Sequence, residues 1–405
     1  MIVNTNNWLR ILYGMLGVLV LVVECPVFGH EMSTGEMDMR VDESTSMQQE
    51  KENLSKLDKQ LIDICQDTGS TVEQVQSLLK AGANVNARNK KNKTPLILVA
   101  AENSNPKVID VLLKAGAHLE SRDHDGWTPL MAAASVNSNP SVVTALLKAG
   151  ANLESKDRHG WTPLMSAAFQ NTTLAVTEVL LKAGADVNIK ATGKEGWTPL
   201  IAAASNNSNV KIVSALLKAG ANREYKDKNG WTPLMAAAAH NTNPAIITVL
   251  LNAGENVNVH ATGKDRWTPL MAAAAWNSNP EVLAILLKAG ADVNVKGAGK
   301  EGWTPLMIAA SKNSNPGFVE ELLKSGANLE ARDKHGWTPL MGAASMNTNP
   351  KVITALLKAG ADVMLENDWG ETALELVQSN KKLKDTSAYQ EIKKAYDNKS
   401  KHKGQ

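Results

Sequence analysis

The chain has 405 residues, a formal net charge of +2 and only two cysteines, and 43% of its residues are hydrophobic. This balance excludes a global basic field for nucleic acid, wholesale disorder, and a disulfide scaffold or cysteine-rich zinc module. Only 4% of the residues are aromatic, and 10 Trp stand against 4 Tyr and 3 Phe, which disfavours a large core built around Phe and Tyr.

The first feature along the chain is an almost unbroken apolar run of 13 residues, Ile11 to Val23. It is shorter than the roughly 20 residues that a spanning helix needs, and it has the length of a signal-peptide core. We predict a signal peptide over residues 1–29, cleaved before His30, and export of the chain to the periplasm or the medium, with no stable membrane span after cleavage. The alternative is an uncleaved membrane tether, since Arg10 and the amino terminus supply little positive charge.

Residues 30–53 follow with seven acidic and two basic side chains, a net charge of −5, and no apolar periodicity. A segment of this composition cannot bury enough apolar surface to fold by itself. We predict an acidic disordered tether.

An internal repeat dominates the rest of the chain. Thr-Pro recurs eight times at steps of 34 or 36 residues, with Pro at 95, 129, 163, 199, 233, 269, 305 and 339. A Gly keeps the same rhythm at 82, 116, 150, 184, 220, 254, 290, 326 and 360. Each 36-residue step contains an insertion between the Gly and the next Thr-Pro, at 191–194, 261–264 and 297–300. Regular periods of this size indicate a stacked repeat architecture.

Each unit predicts two short helices joined by an Asn-rich turn. In the unit 126–151, Thr128 can cap the first helix and Pro129 suits its first turn. Pro140 opens the second helix, and Gly150 ends it in a left-handed conformation. Because one unit cannot bury its own apolar face, stacked units predict a solenoid with nearest-neighbour contacts.

The recurring string Gly-Trp-Thr-Pro-Leu-Met-x-Ala-Ala … Leu-Leu-Lys-Ala-Gly-Ala resembles the ankyrin repeat over about residues 54–397. The resemblance implies an all-α-rich repeat solenoid, in which each repeat adds an antiparallel helix pair and a short β-hairpin finger. It also implies that partners bind on a concave surface of fingers and first helices. The chain departs from the family in having Met or Ile where His usually follows Thr-Pro-Leu, and in its period of 34 instead of about 33.

The two ends resemble capping units. The first unit lacks Thr-Pro, the last keeps only Thr372-Ala373, and the tail from Asn380 carries eight Lys against three acids. The predicted domains are a signal peptide 1–29, an acidic tether 30–53, an N-terminal capping repeat 54–93, eight ankyrin repeats 94–369, a C-terminal capping repeat 370–397 and a basic tail 398–405.

Two sets of side chains are candidates for partner binding. The residue seven positions after each Pro varies most, which suits either recognition or neutral drift on a surface: Glu102, Val136, Gln170, Asn206, His240, Trp276, Lys312 and Met346. The residue before each Thr-Pro is almost always Trp, which suits either binding anchors or packing on the neighbouring finger. The predicted partner-binding residues are Trp127, Trp161, Trp197, Trp231, Trp267, Trp276, Trp303, Trp337, His240 and Lys312.

Enzymatic chemistry finds little support in the sequence. The His residues are scattered over different repeats without a paired carboxylate, and Gly297–Lys300 lacks the spacing of a phosphate-binding loop. We predict no catalytic, cofactor or metal site. The favoured function is a non-catalytic scaffold that binds a protein partner outside the cytoplasm; the alternative is a carbohydrate-binding solenoid that uses the Trp ladder. The sequence identifies neither the partner nor the oligomeric state.

Arg266 occupies a turn position that six other units fill with Gly. Because a positive φ is unfavourable for Arg, we expect its finger to differ locally from the others.

Overall fold

The computed structural model describes residues 55–193, 195–298 and 302–403, and the predicted signal peptide and acidic tether lie outside this range. Within the described residues the chain forms twenty α-helices and no β-strand. The helices are α1 (Lys56–Gln66), α2 (Val72–Lys80), α3 (Pro95–Glu102), α4 (Pro106–Lys114), α5 (Pro129–Val136), α6 (Pro140–Lys148), α7 (Pro163–Gln170), α8 (Leu174–Lys182), α9 (Pro199–Asn206), α10 (Val210–Lys218), α11 (Pro233–His240), α12 (Pro244–Asn252), α13 (Pro269–Trp276), α14 (Pro280–Lys288), α15 (Pro305–Lys312), α16 (Pro316–Lys324), α17 (Pro339–Met346), α18 (Pro350–Lys358), α19 (Ala373–Ser379) and α20 (Ser387–Lys403).

The helices form a regular stack of pairs, as the repeat predicts. Each first helix packs against the first helices of the neighbouring units, and the second helices form a parallel row beside them. In α5 every residue from Pro129 to Ser135 is buried, because its three consecutive alanines let the neighbouring helices approach closely. The second helix α6 buries only the face of Val142, Val143 and Leu146. A main apolar core runs along the stack, a smaller apolar cluster lies around Trp197, and the predicted solenoid is confirmed.

The helix boundaries form as the sequence predicts. Thr128 caps α5 by accepting a hydrogen bond from the Met131 N–H, and Pro129 occupies the first turn. Gly150 adopts a φ of +90° after α6 and donates its N–H to the Leu147 carbonyl at 3.0 Å. These contacts satisfy backbone groups that a helix end leaves unpaired.

The Asn-rich turn between the two helices joins adjacent repeats. Asn137 Nδ2 donates to the carbonyls of Ala100 and Asn103 in the preceding repeat, at 3.0 and 2.9 Å. Its Oδ1 accepts the Asn139 N–H at 2.9 Å. The buried amide therefore uses both its donors and its acceptor. The same pair of Nδ2 contacts recurs at Asn171, Asn207, Asn241, Asn277, Asn313, Asn347 and Asn380. At the N-terminal end Asn103 Nδ2 donates instead to the carbonyl and the hydroxyl of Ser70.

The fingers, the loops between the Gly marker and the next Thr-Pro, correct the prediction of β-hairpins. In one finger, the Asp123 N–H bonds to the Trp127 carbonyl at 3.1 Å, and Asp123 Oδ1 accepts the N–H groups of Asp125 and Trp127. The next finger adds one bond, from the Arg158 N–H to the Asp125 carbonyl at 3.1 Å. A strand needs a ladder of successive pairs, whereas these fingers close as tight turns around a carboxylate.

The turn at Arg266 keeps the conformation of its glycine counterparts. Arg266 has a φ of +46°, where Gly230 has +80° and Gly302 has +69°. A side chain at Gly230 would clash with Thr262 of the following inserted finger, whereas the insertion after Arg266 reads Gly297-Ala298. The following finger thus leaves room for a side chain at this turn. Arg266 keeps the positive φ of the glycines, although this φ is unfavourable for Arg.

Candidate functional site

The repeated Trp residues are fixed at the junction of finger and first helix. The Trp161 N–H, for example, donates to Asp157 Oδ1 of the finger at 2.8 Å, and Thr162 directly after it caps α7. The backbone at Trp161 is therefore held on both sides, by the finger and by the start of the helix. What differs along the stack is the surroundings of the ring.

Some of these indoles bond to the following finger. Trp303 Nε1 donates to Asp333 Oδ2 at 3.0 Å. Asp333 also closes its own turn by accepting the His335 and Trp337 N–H groups. A single carboxylate thus joins two repeats, which gives the ring a role in stacking. The side chains of Trp127 and Trp197 lower the pKa of Asp157 and Asp227 respectively, against the rise that burial causes.

The inserted fingers lack this carboxylate. In them the Asp position holds Ala191, Ala261 or Gly297. Each inserted finger therefore offers no Asp to the indole of the preceding repeat. The three indoles concerned are those of Trp161, Trp231 and Trp267. Within the described residues each of the three packs against other aromatic rings instead. These three indoles and their aromatic neighbours form two clusters.

The first, which we call the buried aromatic cluster, consists of Trp161, Phe169, Trp197 and Tyr225. The Trp161 ring meets Phe169 edge-on at 5.2 Å and lies 6.2 Å from Trp197. Trp197 is only 6% exposed, and its cluster includes the buried Ile201. The Tyr225 hydroxyl donates to the Gly196 carbonyl at 3.0 Å, and Lys190 Nζ lies 4.5 Å from the Tyr225 ring. The Trp197 ring has almost no surface for a partner.

The second, the exposed aromatic cluster, consists of Trp231, His240, Trp267, Trp276 and Lys312. Trp276 stacks on Trp267 at a centroid distance of 4.6 Å and lies 5.6 Å from Trp231. The His240 ring stacks on Trp231 at 6.2 Å, and Lys312 Nζ lies 5.5 Å from the Trp267 ring. Trp276 is nevertheless 45% exposed. Five of the ten predicted binding residues therefore meet in one patch that spans three repeats.

The finger that leads into Trp267 carries exposed charged side chains. Lys264 and Arg266 are exposed on the finger that leads into Trp267, and no ion pair involves either of them among the described residues. The nearby Asp227 is buried in its turn, where it accepts the N–H groups of Asn229 and Trp231, and burial raises its pKa. Asp265 is the exposed acid of the same finger.

His240 is expected to be neutral near pH 7. Surrounding protein removes water from its imidazole and so lowers its pKa, although part of the side chain stays exposed. A neutral ring stacks on Trp231 without needing a counter-charge. His240 therefore contributes an aromatic surface to the patch.

The remaining predicted residues stay apart from the patch. Trp127, Trp303 and Trp337 are half-buried beside their own fingers, and Trp303 and Trp337 pack against the main core. They do not meet the exposed aromatic cluster in any ring contact of the described residues. The Trp ladder is therefore not a uniform row of exposed indoles.

Sequence reasoning missed three features. Phe169 and Tyr225 cover the Trp161–Trp197 pair. The sequence could have revealed them, because each differs from the residue that most repeats have at its position. Trp369 is 62% exposed, with its ring 5.3 Å from His335. Glu255 replaces the Ala that follows most Gly markers; it is buried, and burial raises the pKa of its carboxyl to about 8.

The part of the chain that the structure describes contains no group of three or more His, Cys, Asp or Glu arranged to hold a metal ion. None of its helices is both long and apolar enough to cross a membrane. Cys65 is buried, and burial raises the pKa of its thiol to about 12, which keeps it protonated and unreactive.

Comparison with known families gives a clear result. A family profile described as ankyrin repeats in three copies matches residues 61–157, 99–191, 134–227, 170–261, 207–297 and 294–367. These matches run without a break from residue 61 to residue 367, which is more than half of the chain. A search of curated proteins found no match.

Proposed function

The chain belongs to the ankyrin repeat family, whose stacked repeats serve as scaffolds for protein–protein interaction, and from this premise we propose that it is a non-catalytic scaffold that binds a protein partner at the exposed aromatic cluster. The cluster lies at the ends of first helices, on the side that the family's concave surface would use. Its members come from three successive repeats, so a rigid stack holds them in register.

The single observation that carries the proposal is the exposure of Trp276. An indole that is 45% exposed keeps apolar surface in water without a folding benefit. Trp is also the residue most enriched among the side chains that dominate binding energy at interfaces. The matching position in other repeats holds polar or smaller residues, so copying of a repeat does not account for this Trp.

Carbohydrate binding by the Trp ladder is less well supported than protein binding. A polymer would need indole faces exposed at regular intervals, whereas Trp197 is buried and Trp303 is bonded to Asp333. Among the eight Trp residues predicted to bind, Trp276 alone has a largely exposed ring in the described part of the chain. A single patch suits a localised partner better than a repeating one.

A photo-crosslinking experiment tests the proposal directly. A benzoylphenylalanine is placed at position 276 in the full chain, and a matched chain carries it at position 136, where Val136 has the same place in its repeat and is 41% exposed. We expect irradiation in the native cells to yield one discrete adduct from position 276 and none from position 136. Equal labelling from both positions, or none from 276, would contradict binding at this cluster.

We further propose that binding takes place outside the cytoplasm, on the strength of the N-terminal apolar run. Mass spectrometry of the chain recovered from cell fractions tests this. A mature chain that begins at His30 in the exported fraction is the expected result. An intact N-terminus in the membrane fraction would favour the tethered alternative, and an intact chain in the cytoplasm would contradict export.

A further inference from the structure

Glu255 places a carboxyl group inside the stack, at the start of α11. Eight of the nine Gly markers are followed by Ala, whereas Gly254 is followed by Glu255. The residue is only 7% exposed. Its Oε2 accepts the Leu234 N–H of the preceding repeat at 3.0 Å. The chain therefore has an ionisable group at a position where its other repeats have a methyl group.

The second oxygen of this carboxyl is buried without a partner. Glu255 Oε1 has no hydrogen bond among the described residues. A buried carboxylate with one unpaired oxygen is costly, because no donor offsets the charge on that oxygen. Burial accordingly raises the pKa of Glu255 to about 8, and the Leu234 N–H and the Thr232 side chain lower it only in part. The protonated form keeps Oε2 as an acceptor without burying a charge.

The charged groups that face the carboxyl do not neutralise it. Arg223 favours its ionised form and Glu224 disfavours it, and these two pair with each other at 3.7 Å. The only ionisable side chain of α11 is His240 at its opposite end, and α12 contains none. Glu255 itself makes no ion pair in the part of the chain that the structure describes.

The contact with Leu234 connects Glu255 to the exposed aromatic cluster. Leu234 lies in the first turn of α11, three residues after Trp231. The ring of His240, the last residue of the same helix, stacks on the Trp231 ring. Trp231 in turn lies 5.6 Å from Trp276. A displacement of the start of α11 would therefore move Trp231 relative to the exposed indole.

We propose that Glu255 is a positioning residue that makes the exposed aromatic cluster sensitive to pH: its neutral side chain holds the start of α11, and its ionisation releases that start and displaces Trp231 from Trp276. The ionised carboxylate gains by turning towards water, and its departure leaves the Leu234 N–H without its acceptor. The contact is complete at low pH and is lost as the pH rises through about 8. The consequence for partner binding rests on the proposed function, whereas the movement of the rings belongs to the chain alone.

Two measurements on the full chain detect this movement without a partner. In the first, 5-fluorotryptophan replaces every Trp, and the fluorine NMR signals are assigned by single replacements with Phe. Between pH 7 and 9 we expect the signals of Trp231 and Trp276 to shift together, with a midpoint near pH 8, while that of Trp197 stays constant. In the second, hydrogen exchange is resolved to single amides. After correction for the intrinsic rate, the protection of the Leu234 N–H should fall by about tenfold over the same range.

Glu255→Gln is the matched control for both measurements. Gln retains an oxygen that accepts the Leu234 N–H and has no ionisable group. The ring signals and the protection of Leu234 should therefore keep the pH 7 values of the parent chain up to pH 9. Burial lowers the pKa of His240, so its titration lies below the range measured.

Three results would overturn the role of Glu255: fluorine signals of the parent chain that do not change with pH, equal shifts at Trp197, or the same pH profile in Glu255→Gln as in the parent. None of them depends on the proposed function. The protein captured by crosslinking at position 276 should bind the parent chain about tenfold more weakly at pH 9 than at pH 7, and Glu255→Gln equally at both. If the rings move as expected but position 276 yields no adduct, the proposed function fails and the role of Glu255 stands.

Discussion

The buried and the exposed aromatic clusters start from the same repeat position and end in opposite environments. In both, an inserted finger lacks the Asp that would accept the indole N–H, so Trp161 in one and Trp231 in the other pack on rings instead. Phe169 and Tyr225 close the first cluster, whereas Trp276 leaves the second open. The repeated indoles of both clusters pack on other rings, and residues at other repeat positions decide whether a cluster is closed or keeps an exposed indole.

The fingers without an insertion supply a third case. Trp303 is half-buried and bonded to Asp333 of such a finger, so its ring serves the stack, and no ring-to-ring contact among the described residues involves it. Comparison of the three environments separates the effects of the carboxylate, of the covering rings and of exposure.

The largest expected effect is a pH dependence of stability that arises from Glu255, beside the exposed aromatic cluster. Glu255 Oε2 accepts the Leu234 N–H at 3.0 Å at the start of α11, just after Trp231. Because burial raises its pKa from 4.5 to about 8, the folded chain holds this proton more tightly than the unfolded chain. The free energy of unfolding is therefore not reduced by Glu255 below pH 4.5, where the carboxyl is protonated in both states. As the pH rises from 4.5 to 8, the free energy of unfolding falls by up to about 5 kcal/mol.

Urea unfolding at a series of pH values measures this contribution. We expect Glu255→Ala, which restores the residue of the repeat consensus, to remove the fall in unfolding free energy between pH 5 and 8. The buried cluster has Ala185 and Ala221 at this position and needs no such proton. A variant that keeps the slope of the parent chain would show that another group titrates.

The next largest effect is expected from removal of the buried Trp197 ring. Trp197→Ala should lower the unfolding free energy by about 3 kcal/mol, because a 6% exposed indole leaves a cavity among rings that cannot collapse. Urea unfolding measures it, with Trp231→Ala in the exposed cluster as the matched change. A loss at Trp231 equal to that at Trp197 would abolish the distinction between the clusters.

Loss of the Asp333 carboxylate should lower the free energy of unfolding by a smaller amount. Asp333→Ala removes the acceptor for Trp303 Nε1 and for two backbone N–H groups, and we expect a loss of about 2 kcal/mol. The indole N–H resonance of Trp303 should shift in the NMR spectrum. Asp265→Ala, at an exposed acid of an inserted finger, is the control and should change stability by less than about 0.5 kcal/mol. An unchanged Trp303 signal would refute the bond.

The smallest effect concerns the turn at Arg266. Arg266→Gly should raise the unfolding free energy by about 1 kcal/mol, because Gly adopts the observed φ of +46° without the steric penalty of a Cβ. Thermal and urea unfolding measure it, with Gly302→Ala as the inverse change at a φ of +69°. A destabilised Arg266→Gly variant would show that the Arg side chain supports the stack.

Much of the fold follows from the sequence, because it depends on contacts that repeat. Thr-Pro starts, Gly ends and the 34-residue period specify helix pairs whose faces only a neighbouring copy can bury. The Asn turn was predicted only as a turn, since its amide contacts cross from one repeat to the next. The β-hairpin prediction was wrong; in the fingers that hold an Asp, its side chain takes N–H groups that a strand would pair.

The candidate site was less predictable for the same physical reason. The sequence placed Trp231, Trp267 and Trp276 among the candidates, together with Trp197 and Trp303. Their difference arises from side chains in other repeats, such as Tyr225, and from the insertions that remove a carboxylate two helices away. Glu255 likewise stands out only when its burial against α11 is known.

The most direct test measures both stability and affinity for Trp197→Ala and Trp276→Ala, with the protein captured by crosslinking at position 276 as the ligand. We predict that Trp276→Ala loses about 2 kcal/mol of binding free energy and changes stability by less than about 1 kcal/mol. Trp197→Ala should show the reverse, a large loss of stability with the affinity of the folded chain preserved. Equal affinity of Trp276→Ala and the parent chain would contradict the assignment of this indole as the binding residue.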